Sequence, residues 1–385
     1  MTRKIQMGVV NLVVWSAIML AGTLSASQAL HAQAYQVIHH FASAVDGSQP
    51  NGLTRDVAGN MYGTTNRGGS SDDGTVFKLD ATTHVLSVLH TFTDIPDGAS
   101  PYAPVVVDSA GNIYGTTIRG GANFLGAVFK IDSTGEETIL HSFNRTDGTE
   151  PTGLIRDPAG NLYGTAVASA NGGGVVFRIN TLGTGRTLYQ FSGSPDGWEP
   201  VGLARDSAGN LYGTTLFGGA YDNGSVFKLA RNGNETVVHS FTGPADGAWP
   251  SAEPVLDSVG NVYGTTLVGG DFNKGTVFKI DSAGNFSVMH SFNGRDGDGP
   301  QAGLVLDSAG NLYGNTSQGG FYDFGVVFKI DASGHETVLH SFAGGSGTDG
   351  ATPVGTLLLT PDGTIFGSTI FGGFNGDGVL FKLKP

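Results

Sequence analysis

Apolar positions in this 385-residue chain fall in short runs rather than in sustained helical stripes. Between residues 201 and 241 the runs read VGLARD, NLYGTT, GSVFKL and ETVVHSF, divided by Gly, Asp, Asn and Pro. Runs of about 4–7 residues, rich in β-branched and aromatic side chains and bounded by turn residues, predict strands. No window keeps a helical period, so the pattern predicts an all-β chain.

The same four runs return along the chain. A Tyr-Gly pair marks the second run at Tyr62, Tyr114, Tyr163, Tyr212, Tyr263 and Tyr313, with Phe366-Gly as the seventh copy. The Phe of the third run falls at Phe77, Phe129, Phe177, Phe227, Phe278, Phe328 and Phe381. Asp-Gly-x-x-Pro begins at Asp46, Asp97, Asp147, Asp196, Asp246, Asp296 and Asp349. A period of roughly 50 residues with four antiparallel strands per unit predicts β-propeller blades. The last unit stops after its third run, GVLFKL, while YQVIHHF at residues 35–41 matches the fourth-run pattern ETVLHSF. The N-terminal strand is therefore predicted to complete the last blade, giving a closed seven-bladed ring with no open sheet between first and last blades.

The full unit, P-x-x-G-L-x-x-D-S-A-G-N-L-Y-G-T-T-x-x-G-G followed by G-T-V-F-K-I-D and E-T-V-L-H-S-F, resembles the GloVer (Gloeo/Verruco) tandem repeat of exported bacterial proteins. The resemblance spans essentially residues 35–385. It implies a propeller and export, and it brings no catalytic residue. Members of that family often carry a C-terminal surface anchor; the tail VLFKLKP has none, which favours a freely secreted or periplasmic protein.

The N-terminus supports export independently. Arg3 and Lys4 precede the apolar run from Met7 to Gly22, and Ala32-x-Ala34 forms a small-residue cleavage signature. Residues 1–34 are read as a cleaved signal peptide and residues 35–385 as a single propeller domain. No second apolar stretch reaches membrane length, so no membrane span is expected after cleavage.

Composition narrows the partners. The formal net charge is −13, and loss of a leader holding Arg3 and Lys4 makes it more negative, so a phosphate backbone would be repelled and nucleic acid is not expected. The chain has no cysteine, and a core of this size needs no disulfides. Its 63 glycines follow no collagen period and point to tight turns. A monomer without cofactor is expected.

Several repeated motifs could be mistaken for chemistry. Asp-x-x-Gly-Asn, as in DSAGN at Asp206–Asn210, has the Asp and Gly of a type I turn, and Thr360 replaces the Asp in the seventh copy. Six histidines, His39, His90, His141, His239, His290 and His340, each lie two residues before the Phe that ends the fourth run, with Tyr189 in the third unit. On an outer strand, equivalent copies diverge, so packing or hydrogen bonding is expected and no metal site. Asp-Gly-x-x-Pro reads as a turn entering a strand. Its acid-rich copy Asp296–Pro300 lacks the ligand spacing of a calcium loop. Arg55, Arg156 and Arg205, before the turn Asp, either point to the central channel or pair locally.

Variation, not repetition, marks the candidate ligand site. Loops between the second and third strands, and the connections between blades, should open on one propeller face. There the loops place Phe124, Phe217, Tyr221, Phe272, Phe321, Tyr322, Phe324, Phe371 and Phe374, and the connections add Tyr102, Trp198 and Trp249. Such aromatics either fold inward to fill gaps between blades or stack on sugar rings and anchor a protein partner. The leading expectation is a binding module for a carbohydrate or a surface protein. No nucleophile elbow, zinc signature or separate carboxylate pair stands out, so no catalytic residue is named. A lyase or glycoside-acting enzyme on that face or in the channel, and a structural surface scaffold, are the alternatives.

Overall fold

The computed structural model describes residues 34–385 apart from 171, 346 and 348. All regular structure among them is β: seven antiparallel sheets, six running from an inner strand to an outer one in chain order and the seventh taking its outer strand from the N-terminus. Blade 4 shows the plan, with strands Trp198–Arg205, Leu211–Phe217, Ser225–Leu229 and Glu235–Ser240 from inside to outside. No helix among the described residues is long and apolar enough to cross a membrane. The expected leader, except Ala34, lies outside the described residues.

Ring closure follows the sequence reading. The strand Ala34–His40 lies antiparallel to Val379–Lys384, with Tyr35 opposite Leu383 and His40 opposite Val379. The N-terminal strand therefore supplies the outer strand of blade 7 and covers an edge that would otherwise be open.

Two phenylalanines per repeat hold neighbouring blades together. The Phe after each outer strand packs edge-on against the third-strand Phe of the next blade, as Phe92 on Phe129 and Phe241 on Phe278. The seven such pairs have centroids 4.9–5.3 Å apart, and Phe41 on Phe77 carries the pattern across the chain termini. All are essentially solvent-free. The glycine of Tyr-Gly is required by the same packing: a Cβ at Gly213 would lie 2.5 Å from Phe227 Cζ.

Asp-Gly-x-x-Pro forms the seam on the loop side. The residue before each Pro has positive φ, at Gln49, Ser100, Glu150, Glu199, Trp249, Gly299 and Thr352. This left-handed step aims the amide at the preceding blade, where Glu199 donates to Gly173 O at 3.1 Å and Trp249 to Asn223 O at 2.9 Å. The Pro then packs on the glycine that opens the third strand of that blade; Pro250 Cδ would be 2.6 Å from a Cβ at Gly224. Left-handed φ is costly for a residue other than Gly, so the motif spends local strain on an interblade contact.

Inner strands differ between blades. In blades 3 and 4 they run unbroken, at Thr149–Arg156 and Trp198–Arg205. In blades 2, 5 and 6 the register holds over two residues only, at Val106–Val107, Val255–Leu256 and Val305–Leu306. Those blades, and blade 7, carry one more residue between Pro and the turn than blades 1, 3 and 4.

Candidate functional site

The repeated polar motifs resolve into structure. In Asp-x-x-Gly-Asn, Gly59 donates its amide to Asp56 O, and Asp56 Oδ1 accepts the amide of Asn60 at 2.9 Å. Asp56 Oδ2 accepts the Asn60 amide nitrogen at 2.8 Å and the Tyr62 hydroxyl at 3.0 Å. Burial opposes ionisation of Asp56, but hydrogen bonds from Asn60 and Tyr62 outweigh it and hold the carboxyl below its usual range. The copies at Asp108, Asp157, Asp257 and Asp307 make the same contacts to Asn and Tyr. The turn carboxylate is engaged in shaping its own turn.

The histidines pair with the acid of Asp-Gly-x-x-Pro. His39 Nε2 lies 2.7 Å from Asp46, His90 3.0 Å from Asp97, and His239 3.1 Å from Asp246. His141, His290 and His340 repeat the pair at 3.1, 3.2 and 3.4 Å, and Tyr189 donates to Asp196 at 2.8 Å. Several of these pairs also meet the outer strand of the next blade. His239 stacks on Phe286 at 3.9 Å and His340 on Tyr35 at 3.8 Å. At three other pairs that place holds Glu137, Glu235 or Glu336, whose carboxyls burial pushes up to about 7.

One grouping escaped the sequence argument about diverging copies. His290, Asp296 and Glu336 bring ligand atoms within 4.8 Å of one another because they come from different motif positions on adjacent blades. The equivalent place filled by Phe286 or Tyr35 marks it as an interblade packing position. In the acid-rich connection, Asp298 pairs with Lys274 of the preceding blade.

The arginines before the turn lie in interblade grooves rather than in the channel. Arg156 Nη2 is 3.9 Å from Asp108 of blade 2, with its guanidinium 6.0 Å from the Tyr114 ring centre. Arg55 lines a cavity with Thr360, Asp362 and Lys382, between blades 7 and 1.

The loop-face aromatics do not turn inward. Tyr102, Phe124, Tyr221, Phe272, Phe321, Tyr322, Phe324, Phe371 and Phe374 are exposed, Phe321 to 84%. Trp198 and Trp249 are each 39% exposed, and Phe217 is half-buried. Of the two alternatives, folding inward does not describe these exposed rings; buried Phe pairs occupy the contacts between neighbouring blades. Three of the aromatics form a cluster. Trp198 pairs in register with Phe217, their rings 5.5 Å apart, and Phe217 lies 6.1 Å from Trp249 of the next connection. Phe321 and Tyr322 make an edge-on pair at 4.8 Å. His40 lies against Phe374, with centroids 3.9 Å apart.

Two carboxylates near this face were not singled out by sequence reasoning. Glu199 follows Trp198, and burial together with the field of Glu150 holds its carboxyl above the usual range. Glu253 sits at the channel mouth on blade 5, where Thr356 of blade 7 donates to its Oε1 at 2.6 Å. The channel beneath forms a cavity of about 340 Å³ lined mainly by apolar inner-strand residues, such as Leu53, Val105, Leu154 and Leu203. Glu253 is the one charged residue among those lining it. The signal for it was a spacing: Glu253 falls in the extra residue between Pro250 and Asp257.

The fold is shared with proteins of diverse roles. The chain is similar to a catalytically inactive variant of virginiamycin B lyase from Staphylococcus aureus, solved with quinupristin. That match has a TM-score of 0.65 at 14% identity and covers 92% of this chain and 99% of that one. It is also similar to the extracellular domain of a protein assigned as a one-component system from B. thetaiotaomicron. There the TM-score is 0.62 at 11% identity, over 91% of this chain and 40% of the other. A third match is a variant of puromycin hydrolase, with a TM-score of 0.59 at 10% identity over 86% of this chain and 52% of that one. The chain thus spans about half or less of the last two proteins, and at these identities the likeness concerns the fold alone. No curated protein sequence matches the chain. The Gloeobacter/Verrucomicrobia repeat model matches residues 21–203 and 168–381, so this seven-bladed propeller belongs to the Gloeobacter/Verrucomicrobia repeat family.

Proposed function

We propose that this protein is an exported binding module that takes a carbohydrate ligand on its loop face. The observation that carries the reading is the Trp198–Phe217–Trp249 cluster, which presents exposed ring faces beside the half-buried carboxylate of Glu199. Aromatic faces stack on the apolar faces of sugar rings, while carboxylates accept hydrogen bonds from sugar hydroxyls. Exposed rings elsewhere on the same face would extend the contact to an oligosaccharide. A glycan array probed with the mature chain tests this, with a Trp198→Ala/Trp249→Ala variant as control. Binding to a defined glycan set that the variant loses supports the reading. Binding to no glycan refutes it and leaves a surface protein as ligand for the same face.

A second reading, a glycoside-acting enzyme, is favoured by Glu199, whose carboxyl burial and Glu150 keep above its usual range, as an acid catalyst requires. Its test is turnover of chromogenic glycosides by the wild type and by Glu199→Gln. Turnover lost in the variant would establish it, and none with the wild type would reject it for those substrates.

A further inference from the structure

The seven blades act as internal controls for one another, and one interblade groove departs from the rest in charge. In six blades the third-strand basic residue faces a neutral one across the outer strand: Lys78 faces Ser87, Lys130 faces Thr138, Lys228 faces Thr236, Lys279 faces Ser287, Lys329 faces Thr337 and Lys382 faces Gln36. Blade 3 alone sets Arg178 opposite Arg186. Like charges directly across a ladder destabilise a sheet unless something neutralises them.

Nearby changes raise the positive charge further. The turn joining third and outer strands begins with an acid at Asp80, Asp132, Asp281 and Asp331, but with Asn180 and Ala230 in blades 3 and 4. The next position, small in the other described turns, is Arg231 in blade 4. Arg178, Arg186, Arg205 and Arg231 together line a cavity of about 260 Å³ between blades 3 and 4, on the turn face. Among the described residues none of the four forms an ion pair with a carboxylate. Asp157 lines the same cavity, but its oxygens already accept bonds from Asn161 and Tyr163. Arg178 gives Nη2 to Asn161 at 2.7 Å, whereas its Nε is buried without a partner. Four guanidiniums converge in a chain whose formal net charge is −13.

We infer that the groove between blades 3 and 4 is an oxyanion-binding site, built to take a phosphate, sulfate or carboxylate group. Guanidinium forks match all three geometries and hold them by paired, charge-assisted hydrogen bonds. The site lies on the face opposite the loop aromatics, so it stands independently of the carbohydrate reading.

The test is calorimetric titration of the mature chain with inorganic phosphate, sulfate and citrate as separate probes. Saturable binding of at least one is expected, and the preferred probe separates phosphate, sulfate and carboxylate sources. Arg186→Gln/Arg231→Gln, both exposed positions, should weaken it by about a hundredfold. Arg119→Gln/Arg295→Gln removes the same charge from exposed positions elsewhere and should leave affinity within about twofold. As a second readout, the bound probe should raise the melting temperature of the wild type and not that of the groove variant. The inference is overturned if no probe binds saturably, or if the two double variants lose affinity equally.

Discussion

Thr356 on blade 7 donates its hydroxyl to Glu253 on blade 5 at 2.6 Å, bridging two blades across the mouth of a mainly apolar channel. Glycine makes room for this contact. A Cβ at Gly303 would lie 2.5 Å from Glu253 Oε1, and one at Gly202 2.5 Å from Glu253 Cβ. Thr356→Val should therefore cost about 1.5 kcal/mol, the low end for a hydrogen bond to a charged group. Thr356→Ser should cost much less. Chemical denaturation of the two variants measures the difference.

The interblade phenylalanines should set overall stability. Phe241→Ala empties a site packed against Phe278 and Phe286 and should cost about 3–5 kcal/mol. Phe321→Ala, on an exposed loop, should change stability by less than about 0.5 kcal/mol. Equal midpoints for the two variants in denaturant would contradict the packing described.

Closure of the ring rests on the segment Ala34–His40. Removing it uncovers the edge of Val379–Lys384 and exposes Phe381, against which Tyr35 packs at 5.6 Å. The truncated chain should melt at a markedly lower temperature and self-associate on size exclusion, because an open edge templates pairing. An unchanged melting curve and elution volume would show that the ring does not depend on this strand.

These features were legible to different degrees. Blade number, strand order and closure could be read because Tyr-Gly, Asp-x-x-Gly-Asn and Asp-Gly-x-x-Pro recur at fixed offsets, and each offset has one geometric meaning. The role of Asp46 and its copies was only half legible: the turn could be read, but the partnership with His39 depends on the outer strand lying beside the connection. The exposure of Phe321 or Tyr102 could not be read at all, since an aromatic in a loop has the same local pattern whether it turns in or out. The Arg178–Arg186 pair depends on strand register, which a slip of one residue would have undone.

Stability should also depend on pH through Glu137, Glu235 and Glu336. Burial pushes their carboxyls up to about 7, against an ordinary value of 4.5. A raised folded-state value means the folded protein holds the proton more tightly. The stability these groups confer is therefore full below about pH 4.5 and lost as pH rises through about 7. Glu137→Gln/Glu235→Gln/Glu336→Gln should flatten the fall in melting temperature between pH 5 and 7.5. Comparison with the wild type cancels the opposing contribution of His239, whose burial holds its imidazole below the usual range. Parallel curves for variant and wild type would contradict the assignment.

The loop face carries its own reporter. Of the three tryptophans in the chain, Trp15 lies in the expected leader, which leaves Trp198 and Trp249 in the propeller. Titrating the mature chain with a glycan selected on the array, while following tryptophan emission, tests the central claim most directly. Binding on this face predicts a saturable emission change in the wild type, with affinity weakened by about tenfold or more in each single variant, Trp198→Ala and Trp249→Ala. A glycan that binds by calorimetry while leaving emission unchanged, with equal affinity for both variants, would place the ligand elsewhere and contradict the account.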